Sequence, residues 1–329
     1  MALSHRHAGT LEAVQEAAEL IRPHIRRTPA LGSDLDSRLV LKAECLQVTG
    51  SFKARGAFNA ILNLARQGAA PRGVITASSG NHAQAVALAA RTAGLRAVIL
   101  IPEGANPQKV NATKALGAEV ISEGITFQNR DEKLKEYTDE LGLTLVHPYD
   151  DWDVIHGQGT GALELLQDHP DVSTLVVPVG GGGQISGWAI AAKGLASKVR
   201  VVGVEPSRGD DAMRSLESKE RVRLTHPPDT IADGVKTLSI GQRNYEIIVE
   251  RGLVDEIVTV DEDEIEEAVR VAWLKSKLAV EPTGALSLAA FIAGKVSAAD
   301  GDEGKIGVCI SGGNFDPALM AGILTEKSR

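Results

Sequence analysis

The chain has 329 residues, and its 35 Lys and Arg against 43 Asp and Glu give a formal net charge of −8. No run of Lys or Arg concentrates positive charge, so nucleic acid and anionic membrane surfaces are excluded as expected partners. The length calls for two lobes, because a single hydrophobic core stops growing well before this size.

The first residues, MALSHRHAGT, lack the continuous apolar stretch of a signal peptide, and no later segment offers about 18 uninterrupted apolar residues for a membrane span. A soluble cytoplasmic chain is expected. In TLEAVQEAAELI the apolar residues Leu11, Val14, Ala18 and Ile21 precede Pro23, which predicts a helix that ends early. The stretch TGSFKARGA, Thr49 to Ala57, opens a second helical pattern in which Phe52, Ala57, Ile61 and Leu64 keep roughly helical spacing. Lys53 stands directly behind Phe52 at its opening and, taken alone, reads as a solvated lysine of a first turn. From residue 73 onward, short Val/Ile-rich runs alternate with longer helical patterns: GVITA, LRAVILIP, AEVIS, LTLVHP, STLVVPVG, VRVVGVE and KIGVCIS. Strands alternating with helices predict parallel sheets with helices on both faces. DEDEIEEAVRVAWLKSK reads as an acid-rich helix start with an apolar stripe. Cys45 and Cys309 are too few and too far apart for a disulfide framework or a metal knuckle, and are expected as buried reduced thiols.

In such folds ligands gather at the loops after the carboxyl ends of strands. Three of these loops carry chemistry. After a strand ending at Ala77 come Ser78, Ser79 and Gly80, with a helix beginning near Asn81; free N–H groups and small hydroxyls there suit an anion such as a carboxylate. Gly180, Gly181, Gly182 and Gly183 separate a later strand from its helix, and four glycines allow several N–H groups to point at one anion, most often a phosphate. A dinucleotide site is the rival reading: Gly181 and Gly183 have the first spacing, Ser186 stands at the third glycine position, and Glu205 ends the next strand. The third loop, Ser311-Gly312-Gly313-Asn314 after a strand ending at Ile310, is common turn chemistry by itself.

Taken in order, the lysine after Ser-Phe, the Ser-Gly-Asn-His loop, the tetraglycine loop and the Ser-Gly-Gly-Asn loop resemble the fold type II pyridoxal-phosphate enzymes, in particular the serine/threonine dehydratase and serine racemase family. The resemblance runs from about Thr28 to Asp316 and includes HPYDDWDVIHGQGT and TIADGV. It implies a tryptophan synthase β-like α/β architecture of two doubly wound open-sheet domains with pyridoxal 5′-phosphate between them. Residues 1–47 and 156–329 would form the large domain and 48–155 the small one. It implies that Lys53 is the Schiff-base lysine, that Phe52 packs on the pyridine ring, that Asn81 bonds the ring 3′-oxygen, that Gly180 to Gly183 hold the phosphate and that Ser311 meets the ring nitrogen. Ser78, Asn81 and His82 resemble the cradle for the substrate carboxylate, although a histidine at a helix start can equally cap or pack. The chemistry agrees with the lysine assignment, since an amine must lose its charge before it attacks an aldehyde and therefore belongs in a shielded pocket.

The resemblance further implies a divalent cation, Mg²⁺, Ca²⁺ or Mn²⁺, held by Glu205, the carbonyl of Gly209 and Asp211; an acidic helix N-terminus is the plainer reading of the same residues. The expected reaction is loss of water and ammonia from a small 3-hydroxy amino acid such as L-threonine or L-serine. Serine racemase and 3-hydroxyaspartate dehydratase are the alternatives within the family, and a nicotinamide-dependent oxidoreductase is the remote one. Ser79 matches the racemase-like branch, where a hydroxyl serves the cofactor face opposite the lysine; capping or carboxylate binding is the alternative. Arg130 falls near a substrate-side arginine of that branch, or is a surface helix arginine. Ala54, Tyr149, Trp152 and His156 are the expected pocket-lining residues, with Trp152 and His156 departing from the family's proline and alanine. By analogy the enzyme is expected to be a homodimer, and with thirteen residues after Asp316 a catabolic or unregulated enzyme without an appended regulatory domain is expected.

Overall fold

The Val/Ile-rich runs pair into two separate sheets in the computed structural model, which describes residues 8–67, 72–105, 107–126, 128–298 and 304–325. The chain begins with α1 (Leu11–Ile21), whose Thr10 caps the first turn, and continues through β1 (Ala30–Ser33), β2 (Asp36–Ala43) and α2 (Lys53–Arg66). It then builds β3 (Val74–Ala77), α3 (Asn81–Ala93), β4 (Ala97–Leu100), α4 (Pro107–Ala115), β5 (Glu119–Ile121), α5 (Arg130–Leu141) and β6 (Thr144–Leu145). The four strands β3 to β6 form one parallel sheet in the order β5-β4-β3-β6.

The rest of the chain comprises α6 (Trp152–Asp168), β7 (Val172–Pro178), α7 (Gly183–Leu195), β8 (Arg200–Pro206), α8 (Asp211–Ser218), α9 (Gln242–Tyr245), β9 (Glu256–Val260), α10 (Glu262–Leu274), α11 (Pro282–Ile292), β10 (Lys305–Ile310) and α12 (Pro317–Thr325). The second sheet has the order β1-β2-β10-β7-β8-β9. Five of its strands are parallel, and β1 is antiparallel to β2 at the edge, a departure from the all-parallel expectation. All seven expected runs contain strands, although LTLVHP supplies only the two residues of β6.

Side chains alternate between the faces of this larger sheet, as the two-residue period of a strand requires. Leu39, Leu41, Val176, Val202 and Val308 pack with the apolar stripes of α10 and α11. Val40, Leu175, Val177, Val201 and Cys309 pack on the other side with α6 and α7. Cys45 and Cys309 are both buried free thiols. The acid-rich stretch forms α10, where Asp261 and Glu264 make a capping box. Among the described residues no helix is long and apolar enough to cross a membrane.

One buried feature joins α2 to the larger sheet. Arg55, with no exposed surface, donates to Glu44 at 2.7 and 2.8 Å and to Glu164 of α6 at 2.8 Å through each of two nitrogens. Lys42 of β2, equally buried, donates to Glu164 at 2.6 Å and to the Thr28 carbonyl at 2.7 Å. The four charges are two positive and two negative, and each is multiply hydrogen-bonded, which is the condition for tolerating ions in a low-dielectric interior. Arg55→Leu strands Glu44 and Glu164 without their fork of donors, so chemical denaturation is expected to show a loss of about 3–5 kcal/mol. A loss below about 1 kcal/mol would mean that the cluster reorganises without cost.

Candidate active site

The start of α2 is pinned to the loop after β10. Ser51 bridges to Gly312, the Phe52 N–H donates to the Ser311 carbonyl at 3.1 Å, and the Gly313 N–H donates to the Gly50 carbonyl at 2.9 Å. Lys53 therefore projects from a fixed backbone. Its ammonium sits 5.1 Å from the centroid of the Phe52 ring and donates to the Pro148 carbonyl at 2.8 Å. Among the described residues no carboxylate partners it, and burial lowers its pKa to about 8. The reading as a solvated first-turn lysine fails on these contacts.

Pro148 brings the tetraglycine loop into the same region, because the ring of the next residue, Tyr149, lies against Gly181, where any Cβ would collide with it. The Gly181 carbonyl accepts from the Gly241 N–H at 3.0 Å and from Asn244 Nδ2 at 2.8 Å, which fixes that peptide plane. Gly182 has φ +91°, a conformation that disfavours any residue with a Cβ. Among the described residues the N–H groups of Gly181, Gly182 and Gly183 make no hydrogen bond, and they lie at the positive end of α7. Free donors at a helix start form a cradle for a phosphate.

The loop after β3 completes the convergence. Asn81 Nδ2 donates to Glu281 Oε1 at 2.6 Å, while Asn81 Oδ1 accepts from Asn314 Nδ2 at 2.7 Å. Ser311 is buried, and its hydroxyl has only a 3.5 Å contact to the Thr283 carbonyl. Ser78 Oγ accepts from the Gly80 N–H at 3.3 Å, and Ser79 is exposed. His82 is buried with Nε2 on the Val146 carbonyl at 3.1 Å and Nδ1 unpartnered. Burial and the neighbouring Lys53 charge push its pKa down to about 3, so the ring is neutral. Phe52, Lys53, Asn81, His82, Ser311 and the glycine loop are thus brought together from all three loops. Pro148, Glu281 and Asn314 were not singled out as site residues from sequence; VEPTG around Glu281 carries a signal only in its Glu-Pro helix start.

A half-buried amine, free N–H donors at a helix start and a buried hydroxyl meet at these loops, and the model of the pyridoxal-phosphate dependent enzymes aligns with residues 21–312. The chain belongs to the pyridoxal-phosphate dependent enzyme family. It is 41% identical over 318 residues to a serine racemase of Arabidopsis thaliana, covering 94% of this chain and 95% of that one. It is 40% identical over 329 residues to a catabolic L-threonine dehydratase of Staphylococcus aureus, covering 98% and 94%. A solved serine racemase of maize superposes with a TM-score of 0.89 at 38% identity, covering 96% of this chain and 96% of that one. The fold is that of the type II pyridoxal-phosphate enzymes, and the nicotinamide alternative falls with it.

In this pyridoxal-phosphate dependent enzyme Glu205 and Asp211 form a separate, buried pair. Glu205 accepts from the N–H groups of Ala212 and Met213 at 3.1 and 2.9 Å, and Asp211 accepts from the Ile240 N–H at 3.0 Å. Burial raises both pKa values, that of Asp211 to about 7, and the Asp211 charge raises Glu205 further. Among the described residues neither has an ion-pair partner, and no three His, Cys, Asp or Glu side chains converge. Two buried oxygen donors short of positive charge fit a hard cation whose remaining ligands are carbonyls or water.

The expected pocket residues divide. Ala54 is buried in the core of the smaller sheet, and Tyr149 covers Gly181. Arg130 begins α5 and contributes positive charge at Tyr149. Trp152 and His156 instead hold the N-terminal segment: His156 Nε2 accepts from the Gly9 N–H at 2.9 Å, its ring stacks on Trp152 at 5.8 Å, and Arg251 donates to the Gly9 carbonyl. Burial depresses the His156 pKa to about 4 from an ordinary 6.5. The unfolded chain therefore takes up a proton that the folded one refuses, and the His156 contribution is present above about pH 6.5 and lost as pH falls toward 4. His156→Gln, which keeps an acceptor for Gly9, should flatten the fall of the thermal midpoint across that window. An unchanged acid profile would remove His156 as its source.

Proposed function

We propose that this pyridoxal-phosphate dependent enzyme is a dehydratase, an ammonia-lyase that converts a small 3-hydroxy amino acid such as L-threonine or L-serine to a 2-oxo acid and ammonia. The observation that carries the reading is Lys53, an amine with a pKa lowered to about 8 and a single backbone acceptor, in a chain whose relatives are named threonine dehydratase and serine racemase. Lys53 serves as the covalent anchor for the cofactor. When bound, pyridoxal phosphate supplies an electron sink for the charge left on the substrate α-carbon. Gly180 to Gly183 would bind its phosphate through their N–H groups, Phe52 would pack on its ring, Asn81 would bond the ring oxygen and Ser311 would face the ring nitrogen. A hydroxyl in that place leaves the nitrogen largely unprotonated, which suits loss of a β-substituent.

Ser78, Asn81 and the neutral His82 frame the substrate carboxylate. Once freed, the Lys53 amine would take the α-proton and deliver it to the departing β-hydroxyl, which leaves as water, and the resulting enamine would tautomerise to an imine that takes up water and releases the 2-oxo acid and ammonia. A second reading rests on Ser79. Its hydroxyl is exposed and makes no hydrogen bond among the described residues, which leaves it available as the acid on the face opposite Lys53 for racemising serine. We assign residues 48–155 to the smaller lobe, 1–47 with 156–329 to the larger, a homodimer to the assembly, the cytoplasm to its location and a divalent cation to Glu205, Asp211 and the Gly209 carbonyl.

Ammonia release and chiral product analysis across serine, threonine, 3-hydroxyaspartate and phenylserine, in each stereoisomer, test the reaction. Lys53→Ala is expected to abolish turnover of every substrate. Ser79→Ala should abolish racemisation while leaving L-substrate elimination within about tenfold, a barrier change of about 1.4 kcal/mol. Ammonia release by Lys53→Ala at the parent rate would overturn the reading, and equal loss of both activities in Ser79→Ala would return that serine to carboxylate binding.

The cation is tested by chelation. Because a ligand that binds only the folded protein stabilises it by mass action, chelator should lower the thermal midpoint and Mg²⁺ or Ca²⁺ should restore it in the parent but not in Asp211→Ala. An unchanged melting curve in chelator would leave Asp211 as a helix-start residue only.

A further inference from the structure

Glu281 is a carboxyl group that the mechanism above does not use, and it sits at the meeting point of both lobes. It precedes α11, it is 2% exposed, and its N–H donates to the Gly312 carbonyl at 3.1 Å. Its Oε1 accepts from Asn81 Nδ2 at 2.6 Å across 200 residues of sequence. Gly312 has no room for a side chain, because a Cβ there would collide with Glu281 Oε1. The other end of the Asn81 amide is held by Asn314, which also donates to the Thr49 carbonyl at 2.7 Å. Asn81 thus has one acceptor and one donor assigned by neighbours that flank the Lys53 segment, and one amide hydrogen left over.

We propose that Glu281 is a positioning residue that locks the Asn81 side-chain amide in one orientation, so that its remaining N–H is presented to the ring oxygen of pyridoxal phosphate. This rests on the assignment of Asn81 to that oxygen. With Oδ1 committed to Asn314 Nδ2, itself held on the Thr49 carbonyl, a flipped amide would set two Nδ2 groups against each other, and once Glu281 is ionised it would also set Oδ1 against a carboxylate oxygen. The orientation is therefore fixed before the cofactor arrives, and Asn81 contributes a donor and not an acceptor at the ring.

The protonation of Glu281 sets how it holds Asn81, since the ionised carboxylate only accepts whereas the neutral acid also carries an O–H. Burial, and then the charge of Asp233, raise its pKa to about 8, against the opposing effects of Asn81, Lys109 and the Asn314 N–H. Lys109 of α4 and Asp233 form an ion pair with each other and act on Glu281 in opposite directions, and burial is the largest cause of its shift. Glu281 is accordingly the neutral acid at pH 7 and ionises near pH 8, placing a negative charge on the far side of Asn81 from the ring oxygen that Asn81 would bond.

The test uses the cofactor-loaded protein and two variants. The visible absorption band of the bound cofactor, recorded across the neutral and mildly alkaline range, is expected to change in the parent near pH 8, and this step should be missing in Glu281→Gln. Glu281→Gln keeps an acceptor for Asn81 and should retain cofactor as the parent does, whereas Glu281→Ala should weaken retention about tenfold in equilibrium dialysis. A melting curve on each variant separates this from unfolding. The same pH step in the parent and Glu281→Gln, or equal retention in parent and Glu281→Ala, would overturn the role. A parent without any visible band would overturn the cofactor reading itself, and this role with it.

Discussion

A cluster of four buried charges sets where the chemistry can happen. Arg55, Lys42 and Glu44 have no exposed surface and Glu164 is nearly buried, and ions so placed survive only where every donor finds its acceptor. Arg55 lies two residues beyond Lys53 on α2, while Glu44 follows β2 of the larger sheet and Glu164 belongs to α6. Satisfying the guanidinium therefore fixes the first turn of α2 against both. Close helix contacts reinforce this. Gly56 and Gly157 let α2 and α6 approach until a Cβ on Gly157 would strike the Arg55 backbone, and Gly159 and Gly187 do the same for α6 and α7.

From that fixed turn the rest of the site follows by short links. The Phe52 backbone reaches Ser311, Lys53 reaches Pro148, and Tyr149 rests on Gly181. The buried carboxylate pair is linked in as well. Asp211 accepts from the Ile240 N–H, and the next residue, Gly241, donates to the Gly181 carbonyl. A single peptide unit thus separates the Glu205 and Asp211 pair from the glycine loop. At three groups of the site the electrostatics run one way: burial, the largest cause in each, drives Lys53, His82 and Glu281 toward their neutral forms. Neutral groups around an amine are what nucleophilic attack on a carbonyl requires.

Much of this was legible in the residues because the signals are local. Central parallel strands are buried on both faces and read as unbroken apolar runs, so VVPV and KIGVCI were visible as strands. The edge hairpin of β1 and β2 was not, since Asp36, Ser37 and Arg38 fill the solvent half of β2 and break the pattern. Four glycines after a strand announce a close approach by composition alone, whereas the meeting of the loops after β7 and β10, neighbours in one sheet, with the loop after β3 of the other sheet had no local signal. The long-range partners were silent. Glu281 meets Asn81 across 200 positions, and Lys42, Glu44, Arg55 and Glu164 look like surface charges until the fold buries them. His156 shows the opposite error: its place in HPYDDWDVIHGQGT suggests a pocket wall, but the ring instead turns to the N-terminal Gly9.

The central claim is that the amine held at the start of α2 is the one that carries the cofactor. The most direct measurement is borohydride reduction of the cofactor-loaded protein followed by peptide mass analysis. The expected result is loss of the visible band and a pyridoxyl mass on the peptide containing Lys53 alone. A pyridoxyl mass on any other lysine, with Lys53 unmodified, would contradict it.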